Sequence, residues 1–117
     1  MNKVDFTFQA LFPGAGIAAP QIIMARRTLL SEAEIADRLK EIPQWSREGN
    51  AITRTWTFKD FPAALRFINK VGELAESMNH HPDIRNSWAT VQLTLTTHDR
   101  GGLTHLDFEL AKKIDAL

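Results

Sequence analysis

The stretch "DFPAALRFINKVGELAESMN", residues 60–79, decides how this chain must fold. Phe61, Ala64, Leu65, Ile68, Val71, Ala75 and Met78 recur at steps of three and four, which lines one apolar stripe along an α-helix. Asp60 is a ready N-cap, Pro62 is tolerated in a first turn, and Asn79 is a suitable terminator. A helix with one apolar stripe needs a surface to cover, and the neighbouring segments supply it. Ahead of it, a strand over 51–58 places Ile52, Trp56 and Phe58 on one face and Thr53, Thr55 and Thr57 on the other. A short strand over 45–47 precedes that one across the turn "EGN" at 48–50. Behind the helix, "HHPDI" leads into a second hairpin whose closing strand spans about 90–97. There Val91, Leu93 and Leu95 point one way, and Gln92, Thr94, Thr96 and His98 the other.

Two further helices flank this centre. Ser31 and Glu34 form a capping box before Ile35, Leu39 and Ile42, and Pro43 stops that helix. After the break "DRGG" at 99–102, Thr104 and Asp107 open a last helix lined by Leu106, Leu110, Ala111 and Ile114. The order helix, two strands, helix, two strands, helix predicts a two-layer α+β domain with an antiparallel sheet.

With 117 residues the chain is long enough for one self-sufficient core. Its 44% apolar and 24% charged residues are those of an ordinary globular protein. Fourteen basic residues balance fourteen acidic ones, and the adjacent basic pairs are Arg26-Arg27 and Lys112-Lys113 alone. Without a basic stripe, nucleic acid is excluded as a partner class. No apolar run reaches the roughly 20 residues of a bilayer-spanning helix, so no membrane partner is expected. The absence of cysteine rules out disulfides, zinc ribbons and thiol nucleophiles, and fits a cytoplasmic location. Residues 1–29 read as a poorly ordered extension of a domain over 30–117. The apolar middle of the extension follows a lone Lys3, with Asp5 acidic and prolines interrupting it, which argues against a secretory leader. The "GAG" at 14–16 lacks the rest of a dinucleotide fingerprint, and Met24 offers an alternative natural start.

Three of the four histidines, His80, His81 and His98, lie within 78–104. Three readings of them are open. As metal ligands they have no H-x-x-x-H spacing, and adjacent residues such as His80 and His81 diverge in regular structure. As ordinary turn residues, His80 would suit the carbonyl end of a helix. As proton-transfer groups, they have an ordinary pKa of about 6.5, matched to chemistry near neutrality. If the second hairpin folds back over the helix end, His98 arrives at the same edge as the pair.

The segments "IPQW" at 42–45, "FKDFPAALRFINKVGELAE" at 58–76, "NHHPDI" at 79–84, "LTLTTHDRGGLT" at 93–104 and "DFELAKKID" at 107–115 together resemble the pterin-4a-carbinolamine dehydratases. The likeness runs from about Leu30 to Leu117. It implies a four-stranded antiparallel sheet with three helices on one face, assembled into a homodimer or homotetramer. It implies a site free of metal and of any organic cofactor that dehydrates 4a-hydroxytetrahydropterin to the quinonoid dihydropterin, recycling the cofactor of an aromatic amino-acid hydroxylase. On the motifs, His80 and His98 match the acid–base pair, and His81 matches a substrate-binding residue of the same catalytic centre. Asn79, Thr96, Thr97 and Asp99 match pocket lining, Trp45 a tryptophan near the pterin, and Glu76 and Asp107 nearby acidic residues. Trp88 departs from the tyrosine the pattern leads one to expect. The rival implied by the same resemblance is a non-catalytic dimerisation or assembly scaffold. All three histidines are present, which favours catalysis.

Overall fold

A computed structural model describes residues 26–117; the expectations for residues 1–25, including the alternative start at Met24, lie outside the described residues. Helix α1 (Glu32–Leu39) is followed by β1 (Ser46–Glu48), β2 (Ala51–Thr57), α2 (Phe61–Met78), β3 (Asp83–Ser87), β4 (Thr90–Leu95) and α3 (His105–Asp115). One turn of 3-10 helix, His98–Arg100, links β4 to α3. The strands form one antiparallel sheet in the order β1-β2-β4-β3. The α+β class and the element order are those read from the sequence.

The pairing of β2 with β4 joins the two hairpins. Ile52 stands opposite Leu95 and Trp56 opposite Val91. Ile52, Val91, Leu93 and Leu95 are fully enclosed, in one cluster with Ile35 of α1, Val71 and Ala75 of α2, and Leu110, Ala111 and Ile114 of α3. Helices therefore cover one side of the sheet, while Gln92 and Thr94 on the other remain half exposed. Thr53 lies on that open face yet is buried, and its hydroxyl is satisfied by donating to the Leu93 carbonyl (2.9 Å) across the sheet.

Besides α1 ending at Leu39, short of Ile42 and Pro43, two details differ from the sequence reading. Phe61 and Leu65 are 42% and 41% exposed, and Phe67 and Leu74 pack on the core in their place. The buried face of α2 is centred on Ala64, Val71 and Ala75. Phe61 and Leu65 lie off that centre, and three-and-four spacing alone cannot choose between adjacent stripes. Second, β4 ends at Leu95 rather than 97, because the chain curls back so that Thr97 bridges Gly102 and the Thr97 carbonyl accepts from Arg100 and Gly101.

The caps are as read. Ser31 and Glu34 close a reciprocal box on α1, Asp60 accepts from the Ala63 amide (2.9 Å), and Thr104 with Asp107 closes a second box on α3. Asn79 ends α2 in the left-handed conformation at φ 50° and ψ 42°, a turn that decides where the next two side chains go.

Candidate active site

Because the chain reverses at Asn79, adjacent histidines face opposite ways. His80 turns inward and is 7% exposed, its amide donating to the Ala75 carbonyl (3.0 Å). Its ring Nε2 lies 2.6 Å from Oδ1 of Asp107, a carboxylate with no exposure at all. The other carboxylate oxygen accepts from the Thr97 hydroxyl (2.9 Å) and from the Thr104 amide (2.9 Å). Thr97 and Thr104 hydroxyls are themselves 2.8 Å apart. A buried carboxylate is costly unless its lone pairs are filled, and here both oxygens are engaged. His81 turns outward to meet Glu76 at 2.8 Å, both groups well exposed.

His98 comes from the 3-10 turn after β4. It is exposed and stands 4.0 Å from Asp83, too far for a hydrogen bond. With His80 and His81 it borders a shallow cleft of about 180 Å³, whose walls also include Asn79, Thr96, Thr97, Asp99 and Arg27. Thr96 itself is held by donating to the Asn50 carbonyl (2.6 Å). Among the described residues, no group of three His, Cys, Asp or Glu side chains stands close enough to share a metal ion. No described helix is long and apolar enough to cross a membrane.

The structure thus brings His80, His81, His98, Asn79, Thr96, Thr97 and Asp99 to one cleft. Asp107 lies beneath it on His80, and Glu76 beside it on His81. Trp45 is not brought there. Its ring is buried between sheet and helices, edge-on to Trp56 at 5.6 Å, and its indole N–H donates to Asp115 (2.8 Å). That indole is held by core packing rather than presented to the cleft. Arg27, an ion-pair partner of Asp99, is a cleft residue that sequence reasoning missed. The basic pair was visible, but nothing in its spacing tied it to a site some seventy residues downstream.

The family model "Pterin 4 alpha carbinolamine dehydratase" matches residues 28–117. The chain belongs to the pterin carbinolamine dehydratase family. A relative from Roseiflexus sp. (strain RS-1), named "Putative pterin-4-alpha-carbinolamine dehydratase", is 50% identical over 90 residues, spanning 77% of this chain and 97% of its own. The crystal structure of a transcriptional coactivator/pterin dehydratase from Brucella melitensis superposes with a TM-score of 0.73 at 36% identity, covering 76% of this chain and 97% of that one. A pterin dehydratase-like RuBisCO assembly factor of the alpha-carboxysome, at 19% identity, TM-score 0.51 and coverage of 62% and 83%, shares the fold alone. The family places this pterin dehydratase homologue among the hydro-lyases and implies a pterin as substrate.

Proposed function

We propose that the histidine cleft dehydrates a 4a-hydroxytetrahydropterin to the quinonoid dihydropterin and water by proton transfer through imidazoles. The observation that carries this reading is the enclosed Asp107 carboxylate 2.6 Å from His80 Nε2, at the base of a cleft that His81 and His98 also border. A carboxylate with its other oxygen filled by Thr97 and Thr104 holds an imidazole by one nitrogen and fixes its orientation, leaving the second nitrogen for substrate. In the reaction the C4a–O bond breaks, the leaving oxygen takes a proton and departs as water, and N5 gives up its proton. His80 and His98 serve as the acid–base pair; each such transfer is worth roughly 10²–10⁴-fold in rate. His81, steadied by Glu76, holds the substrate, and Asn79, Thr96, Thr97 and Asp99 shape the cleft. No metal takes part, and the cysteine-free sequence supports a cytoplasmic enzyme.

This activity would return the pterin of an aromatic amino-acid hydroxylase to use, from a homodimer or homotetramer. The test is decay of the 4a-hydroxypterin absorbance after that intermediate is generated chemically, with and without the protein. Acceleration that survives a chelator supports the reading. No acceleration over the uncatalysed decay would leave the scaffold role in its place.

A further inference from the structure

A second cleft, of about 450 Å³, opens beside the first and shares Arg27 and Asn79 with it. Its walls are the end of α2 at Ser77, the face of α3 at Glu109 and Lys113, and the incoming chain at Arg26. Both arginines lie just upstream of residues 28–117, the stretch matched to the family. Arg26 pairs with Glu109, and Arg27 with Asp99. The Lys113 ammonium has no partner among the described residues. With Asp99 counted beside Arg27, three cations meet two carboxylates, plus about half a negative charge from the carbonyl end of α2. The balance is positive. By itself the histidine cleft is smaller than the roughly 300–1,000 Å³ usual for small-molecule sites, whereas the two clefts together fall within that range.

We propose that the second cleft receives an anionic group, phosphate or carboxylate, at the end of the arm that leaves the pterin ring at C6. The proposal rests on the pterin reading of the histidine cleft. With the ring among the histidines, the arm passes between Arg27 and Asn79, and its charged end meets Arg26 and Lys113. Arg27, clamped by Asp99 where the clefts join, is then a specificity residue for charged arms.

The test compares two probes that differ in the charged group alone, 6-hydroxymethylpterin and its phosphate ester, by fluorescence titration of the whole chain. The ester is expected to bind roughly tenfold tighter or more at low salt, the scale of one charge-assisted hydrogen bond, and the ratio should shrink as salt screens it. Lys113→Ala and Arg26→Ala should each bring the ratio of the two affinities toward one. Equal binding of both probes, or a ratio unchanged in the double variant, overturns the proposal and leaves the pterin reading intact. If neither probe binds, the pterin reading fails and takes this proposal with it. Inorganic phosphate should compete only far above the ester's own concentration, since the tethered group gains from effective concentration. Phosphate that binds as well as the ester would mark a free anion as the ligand and overturn the arm assignment.

Discussion

The Asp107 carboxylate serves two structures at once. One oxygen accepts the Thr104 amide and closes the capping box of α3, and the other faces His80. The start of the last helix thereby fixes the candidate acid–base residue at the end of the longest one. Asp107→Asn should therefore lower turnover by roughly 10²-fold or more and change the pH profile, as expected when an imidazole loses the group that orients it. His80→Ala and His98→Ala should each depress kcat strongly while pterin still binds, and the double variant should lose less than the product of the two single losses. His81→Ala should raise KM more than it lowers kcat. His105→Ala is the control, because His105 lies outside the cleft on the first turn of α3, and it should behave as wild type. If His105→Ala proves as damaging as His80→Ala, or a chelator abolishes activity, the assignment is wrong. That the three histidines gather at one cleft was legible from the position of the second hairpin beside the helix end. That His80 turns in and His81 out was not legible, since it depends on a left-handed Asn79 that no periodicity encodes. The burial of Trp45 away from the cleft was not legible for a related reason: a tryptophan near a site in sequence carries no signal of which way its ring packs.

At the scale of elements, caps were the most legible feature and stripe phase the least. A cap is a local reaction between a side chain and amides three residues away, so Ser31–Glu34, Asp60 and Thr104–Asp107 could be read directly. The buried face of α2 depends on where the sheet lies, which local spacing does not contain. Asn79 gives a check on the cap that ends α2. Asn79→Gly should hold the melting temperature, whereas Asn79→Ala should cost about 1–2 kcal/mol because alanine is strained in the left-handed region. At the other helix, the Ser31 amide and hydroxyl hold the Glu34 carboxyl below its ordinary value of 4.5. A lowered folded-state pKa adds stability that is present above the ordinary value and lost as pH falls through the lowered one. Glu34→Gln should thus melt earlier than wild type near neutrality, and the two should converge in acid. A gap that persists or widens in acid would contradict this account.

For the whole molecule, the surface left apolar points to further assembly. Strand β3 is exposed along its full length, and the edge it presents carries unpaired backbone groups. Phe61 and Leu65 stand out from α2, and Trp88, at φ 50° in the hairpin turn, is 72% exposed. The family resemblance leads one to expect a dimer or tetramer, and the turned stripe of α2 gives that expectation specific residues. The upstream extension is the part assembly should not need. A chain beginning at Met24 keeps Arg26 and Arg27 and should retain full activity and thermal stability; clear loss of either would show that the earlier residues are part of the fold. Isologous pairing buries the same patch on both copies, so one charge introduced there is met twice. Light scattering at micromolar concentration should give a dimer or tetramer for the wild type. Leu65→Glu puts a carboxylate on an already exposed helix position, where it costs the monomer little, and it should shift the population toward smaller species. Trp88→Ser makes the parallel test at the hairpin tip. A monomeric wild type would contradict the expected assembly; if the wild type assembles but neither substitution changes the mass, these side chains are ordinary exposed surface and the contact must be sought at the edge of β3.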